Sequence, residues 1–86
     1  ILAGVDRLIA DGIVDPHQLT IGGFSYGGFL TNWLITQTTR FNAAVSGAGA
    51  VEQVSFWGAT DNPLYCEALL GGYPWEIPER YMSESA

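Results

Sequence analysis

Leu19-Thr20-Ile21-Gly22-Gly23-Phe24-Ser25-Tyr26-Gly27-Gly28-Phe29 is the stretch that decides the fold of this 86-residue chain. Leu19 to Phe24 form a short apolar run whose bounds and length suit a buried strand better than a helix. Beyond Ser25, the residues Phe29, Leu30, Trp33 and Leu34 recur at i, i+1, i+4 and i+5, which predicts a helix from Tyr26 to about Thr38. Between the two, Gly23-Phe24-Ser25-Tyr26-Gly27 matches G-x-S-x-G at a strand-to-helix turn, the setting of a nucleophile elbow. So sharp a turn strains the serine backbone and brings the positions two residues either side into collision. Gly23 and Gly27 are expected to relieve that collision, and Gly28 to let the helix approach the sheet. Ser25 then stands at the carboxyl end of the strand as the candidate nucleophile. Behind it, the backbone N–H of Tyr26 at the helix N-terminus is the candidate oxyanion donor. Removing one such donor typically costs about 3 kcal/mol of transition-state stabilisation.

Glycine-rich turns of this kind also cradle phosphates, and Gly22 to Gly27 satisfies the first six positions of G-x-x-x-x-G-K-[ST]. Gly28-Phe29 stands where Lys and Ser/Thr are needed, so the phosphate loop fails. The dinucleotide pattern G-x-G-x-x-G fails as well, because Phe24 occupies the place of its second glycine.

Outward from the elbow, Leu2, Val5, Leu8 and Ile9 predict a first helix that stops at Asp11-Gly12. Asn42-Ala43-Ala44-Val45-Ser46 reads as a second short strand, closed by Gly47 and Gly49. Arg40 is placed favourably for the negative pole of the helix before it. Helix, strand, helix, strand in that order implies parallel strands covered by helices, an α/β fold. Downstream, Val51 to Trp57 and Leu64 to Leu70 are expected as short helices about the turn-like Thr60-Asp61-Asn62-Pro63, with a last helical turn near Glu79 to Met82.

Composition narrows the partners. The chain is 48% hydrophobic and only 14% charged, against about 25% charged in a typical soluble domain. A net charge of −6 with three cations, Arg7, Arg40 and Arg80, opposes binding to nucleic acid. No run of about 18 apolar residues is present to span a membrane. One cysteine, Cys66, allows no internal disulfide and is expected as a small buried apolar residue. No Cys/His cluster has metal-ligand spacing, so neither metal nor cofactor is implied. Two parallel strands alone leave two unpaired edges. The chain is therefore expected to be the central fragment, 1–86, of a larger catalytic domain.

Gly22-Gly23-Phe24-Ser25-Tyr26-Gly27-Gly28-Phe29 resembles the G-[GW]-x-S-Y-G-G-[YF] signature of the prolyl oligopeptidase family of serine peptidases. The resemblance runs over almost the whole chain. Gly12-Ile13-Val14-Asp15-Pro16 is similar to the family's approach to the elbow, and Phe41-Asn42-Ala43-Ala44-Val45-Ser46-Gly47-Ala48 to its next strand. Gly71-Gly72-Tyr73-Pro74-Trp75-Glu76 resembles the G-G-x-P-W-E segment of the acylaminoacyl-peptidase branch. It implies an α/β-hydrolase catalytic domain that cleaves short peptides, often beneath an upstream β-propeller, with no cofactor. It also implies a specificity pocket at Ala50 and Gln53, then Leu64 and Ala68. A tryptophan is frequent at the place matched by Gln53, so the pocket departs from the family's shape there. Phe56, Trp57 and Tyr65 are expected as ordinary packing, and Glu76, Glu79 and Glu84 around Arg80 as a solvated face.

A serine nucleophile needs a general base and a carboxylate to orient it. His17, the one histidine, precedes the strand and lies at its far end, so it is expected as a turn residue. Asp61 is expected to cap locally. By resemblance, the triad Asp and His belong to strand ends beyond Ala86, and a second oxyanion donor to a loop before Ile1. The 86 residues alone are then expected to be inactive. A carboxylesterase shares the elbow, and a non-catalytic interaction module keeps the scaffold; both stand beside the peptidase as alternatives.

Overall fold

The computed structural model describes residues 1–86. In chain order they form α1 (Leu2–Ala10), β1 (Thr20–Phe24), α2 (Tyr26–Gln37), β2 (Ala43–Gly47), α3 (Gln53–Ala59), α4 (Pro63–Leu70) and α5 (Pro78–Ser83). Every element expected from the sequence is present, with ends displaced by a residue or two. The helix boundaries have local causes. Gly12, with φ 71°, follows the end of α1, and Gly71, with φ 95°, caps α4 in the left-handed region that glycine adopts freely. Pro63 and Pro78 open α4 and α5, where the missing N–H is one of those left unpaired anyway.

β1 and β2 pair in parallel, from Thr20 opposite Ala43 to Phe24 opposite Gly47. One residue before the strands, Asn42 extends the pairing. Its N–H donates to the Leu19 carbonyl at 2.7 Å, and its side-chain oxygen accepts from the Leu19 N–H at 2.9 Å. α2 packs on both strands and buries Gly28, Thr31 and Leu34. That face differs from the expected stripe, since Phe29, Leu30 and Trp33 are only half-buried. A polar residue reaches the core because Thr31 Oγ1 donates back to the Gly27 carbonyl at 2.8 Å, satisfying its hydroxyl. Arg40 does not stay at the pole of α2; its guanidinium reaches Asp6 of α1 at 2.7 Å.

The other face of the sheet is open. Phe24 is 76% and Val45 75% exposed, and they sit on one face because Phe24 and Gly22 align with Gly47 and Val45. The Cα radius of gyration is 15.4 Å, whereas a compact domain of this length has about 12 Å.

Two glycines set how closely α2 approaches its surroundings. A β-carbon at Gly28 would lie 2.4 Å from the Gly47 carbonyl oxygen and 2.9 Å from Gly49 Cα. A β-carbon at Gly23 would lie 2.3 Å from the Gly27 carbonyl oxygen. At Gly27 itself a β-carbon meets nothing within 4 Å, so the elbow's steric demand falls on Gly23 and Gly28, not on Gly27 as expected. In the intact protein, Gly28→Ala is expected to destabilise by about 1–3 kcal/mol through overpacking against backbone. Gly27→Ala is expected to be neutral or stabilising by up to about 1 kcal/mol, from helix propensity. Urea unfolding midpoints of the two variants check the contrast, and equal losses would refute it.

Candidate active site

Ser25 sits between the end of β1 and the start of α2 with φ 59° and ψ −119°. A non-glycine residue held in such a sparsely populated region costs on the order of 1–3 kcal/mol. Two bonds fix it: its N–H donates to the Gly47 carbonyl at 2.9 Å, and its carbonyl accepts from the Phe29 N–H at 3.0 Å. The side chain is exposed. Tyr26 begins α2, and its N–H donates to no backbone oxygen. That unpaired donor at the positive end of a helix is suited to an anion. The tyrosine ring turns aside and lies 5.5 Å from the Phe29 ring.

Beyond β2 the chain bends through Ala48, a second non-glycine residue at positive φ (50°). Asn32 on α2 holds this loop, its amide reaching the Gly49 and Ala50 carbonyls at 3.4 and 3.5 Å. α3 starts where the Glu52 carboxylate accepts from the N–H groups of Val54 and Ser55, both at 2.8 Å, and from the Ser55 hydroxyl at 2.6 Å.

Beside Ser25, at the carboxyl ends of the strands, lies a cavity of about 280 Å³. Ligands in open α/β sheets bind at this end. Ser25, Tyr26 and Phe29 form one wall, and Ala48, Ala50, Gln53 and Phe56 another. α4 contributes Tyr65, Cys66, Leu69 and Leu70, and α5 contributes Arg80 and Glu84. Of the four expected pocket positions, Ala50 and Gln53 line this cavity. Leu64 and Ala68 do not; both are exposed. They are one turn apart on α4, and the helix presents the neighbouring stripe, Tyr65 with Leu69 and Cys66 with Leu70, a rotation of one residue.

Phe56 and Tyr65, expected as packing, line the cavity, while Trp57 lies elsewhere. Its ring meets Tyr73 and Trp75 edge-on at 6.5 and 5.3 Å, and its Nε1 donates to Glu67 at 3.3 Å. Arg80 and Glu84, expected on a solvated face, pair with each other at 3.4 Å on the cavity rim. The sequence signal for them was weak, because a short polar helix gives no indication of which side meets the cavity. α5 is pinned by Tyr81, fully buried, whose hydroxyl donates to the Gly72 carbonyl at 2.8 Å. Burial pushes the Tyr81 hydroxyl pKa up.

Cys66 is 2% exposed, as expected of a small core residue, and burial pushes its thiol pKa up, away from thiolate chemistry. The His17 N–H donates to Asp15 Oδ1 at 2.8 Å in a turn before β1. The length of that strand, about 17 Å, separates His17 from Ser25. Asn62, not Asp61, holds the N-cap position of α4, and it makes no side-chain capping bond. No cluster of His, Cys, Asp and Glu is arranged to hold a metal ion, and no helix is long and apolar enough to cross a membrane.

The family model described as the prolyl oligopeptidase family matches residues 1–86. The chain belongs to the prolyl oligopeptidase family. It is 44% identical over 62 residues to the uncharacterized peptidase YuxL of Bacillus subtilis (strain 168), covering 71% of this chain and 9% of that protein. It is 42% identical over 66 residues to the acylamino-acid-releasing enzyme of Arabidopsis thaliana, covering 76% of this chain and 9% of that protein. The chain thus spans about a tenth of the length of these curated relatives. Among solved structures, the uncomplexed Pyrococcus horikoshii acylaminoacyl peptidase superposes with a TM-score of 0.82 at 29% identity, over 98% of this chain and 14% of that one. The parallel strands, elbow and flanking helices are accordingly part of an α/β-hydrolase fold.

The Glu52 cap gives a pH dependence with a definite sign. Its carboxyl is held below its usual 4.5, chiefly by the Ser55 hydroxyl and then by the Ser55 and Val54 N–H groups. A depressed folded-state value means that its stabilisation is present above pH 4.5 and is lost as pH falls through the lowered value. Glu52→Gln is therefore expected to lower stability at neutral pH and to flatten the acid limb of the stability curve. Unfolding midpoints measured from pH 7 downward check this, and an unchanged acid limb would exclude it.

Proposed function

We propose that this chain is the nucleophile-bearing centre of the catalytic domain of a serine peptidase acting on short peptides. The observation that carries the reading is the position of Ser25: exposed, at positive φ, beside a free helix N-terminal N–H, and opening onto an apolar cavity. On this reading Ser25 Oγ attacks the carbonyl carbon of the scissile bond while a general base takes its proton. The carbonyl oxygen becomes an oxyanion facing the Tyr26 N–H. Collapse of the tetrahedral intermediate breaks the C–N bond, and the protonated base gives its proton to the leaving amine. Water then hydrolyses the ester on Ser25 by the same steps in reverse. The acyl-side residue occupies the cavity, whose walls are mostly apolar and whose rim charges, Arg80 and Glu84, neutralise each other.

His17, in the turn before β1, stands a strand's length from Ser25 and is not the base. The base and its orienting carboxylate therefore come from elements outside these residues, and the open sheet face is covered by others. The relatives named as acylamino-acid-releasing enzymes support a substrate whose first residue is acylated.

In the full-length protein, a fluorophosphonate is expected to label Ser25, and Ser25→Ala is expected to abolish the label. Amide hydrolysis should fall by about 10⁶-fold, the typical loss for a serine nucleophile. Labelling that persists in Ser25→Ala would remove Ser25 from the mechanism. Ester turnover without amide turnover would favour a carboxylesterase, and neither activity would favour a non-catalytic module.

A further inference from the structure

Gln53 is the buried polar side chain in the cavity wall, only 9% exposed. Its environment uses one half of its amide. The side-chain Nε2 donates to the Glu84 carbonyl at 3.4 Å, and the main-chain N–H donates to Ser85 Oγ at 3.0 Å. Ser85 Oγ in turn donates to the Tyr81 carbonyl at 2.9 Å, so the start of α3 is tied to the end of α5. The amide oxygen, Oε1, accepts from no protein group. Yet no fully buried side-chain oxygen or nitrogen in the chain lacks a partner. Oε1 therefore keeps some exposure, and Gln53 is a lining residue of the cavity.

The surroundings of that oxygen restrict what satisfies it. Phe29, Phe56, Leu69 and Leu70 offer apolar wall and no donor, and the Ser25, Tyr26 and Tyr65 hydroxyls and the Cys66 thiol line the same cavity without donating to Oε1. Arg80 is engaged by Glu84. A cavity of about 150 Å³ with apolar walls accepts benzene, and the present one, at about 280 Å³, has room for a substituted ring. We infer that Gln53 Oε1 is a specificity-determining acceptor, and that the cavity selects an aromatic acyl-side residue carrying its own donor, tyrosine over phenylalanine. The apolar walls hold the ring, and the phenolic O–H donates to Oε1. Phenylalanine fills the same space but displaces water from Oε1 and leaves it unpaired, which is the asymmetry that makes buried polar groups discriminate.

The consequence for catalysis rests on the peptidase reading, whereas occupancy of the cavity does not. Two measurements on the full-length protein keep them apart. The first is the kcat/KM ratio for N-acetyl-tyrosyl and N-acetyl-phenylalanyl amides, expected to be about fivefold in favour of tyrosyl, the worth of one net hydrogen bond. The second is the Kd ratio for N-acetyl-tyrosinamide and N-acetyl-phenylalaninamide binding to the Ser25→Ala protein, expected in the same direction. Gln53→Met, similar in length and without the acceptor, should bring both ratios close to one, while Gln53→Glu, which keeps an acceptor, should preserve a tyrosyl preference. A wild-type Kd ratio near one overturns the inference without reference to any variant, and so does a preference unchanged in Gln53→Met. No amide turnover together with a tyrosine preference in binding would sink the peptidase reading and leave the assignment of Gln53 standing.

Discussion

The close approach of Gly28 to Gly47 and Gly49 is the contact on which the site depends. With no side chain on either surface, the first turn of α2 lies backbone to backbone against the end of β2 and the loop after it. Ser46 adds a hydroxyl donated to the Gly28 carbonyl at 3.1 Å. This contact sets the height of the helix N-terminus over the strand ends, and hence where Ser25 and the Tyr26 N–H stand. It also fixes the loop carrying Ala48 and Ala50, and so one wall of the cavity. One packing constraint thus positions the candidate nucleophile, the candidate oxyanion donor and the cavity together.

The strain at this point is distributed consistently with that view. Ser25 and Ala48 are the non-glycine residues at positive φ, and both line the cavity. Such conformations persist only where the surroundings over-determine them. At Ser25 the determinants are the bonds to Gly47 and from Phe29; at Ala48 they are the neighbouring contact of Gly49 with Gly28 and the Asn32 amide above the loop. Each strained residue is held by the element that the other one leads into or out of. The two strained residues are therefore held within the β1–α2–β2 unit and the loop after it.

How much of this was legible in the sequence follows from how local each feature is. The elbow was legible because its causes lie within six residues: an apolar run, a serine, glycines at set offsets and a helical stripe. The sheet-facing side of α2 was less so. This helix is apolar on several sides, and the buried one is chosen by the glycine contact and by a threonine that satisfies its own hydroxyl. The cavity was the least legible, since its walls come from four helices and the loop after β2, whose relative placement no spacing encodes. Leu64 and Ala68 illustrate this: they have the right helix and the right period but are one residue out of phase with Tyr65 and Leu69. Arg80 and Glu84 are solvated, as their sequence suggests, and also border the cavity, which their sequence does not show.

The open face of the sheet and the composition express the same physics. A chain with 48% hydrophobic and 14% charged residues has more apolar surface than two strands and five short helices can cover. Phe24 and Val45 stand on the uncovered face. Parallel strands are normally buried on both faces, so the proposed reading assigns that face to other parts of the protein. The division of labour then follows from charge. On the proposed reading, what these residues supply to the site is neutral at rest: a hydroxyl, a backbone N–H, an amide and apolar walls, with the one ion pair at the rim closed on itself. The titrating base and its carboxylate are groups whose protonation must be tuned by burial and by each other. On the proposed reading they reach Ser25 from elements that pack against the open part of the sheet. On that reading, backbone contacts hold the neutral half, and the charged half is tuned where the complete domain assembles around it.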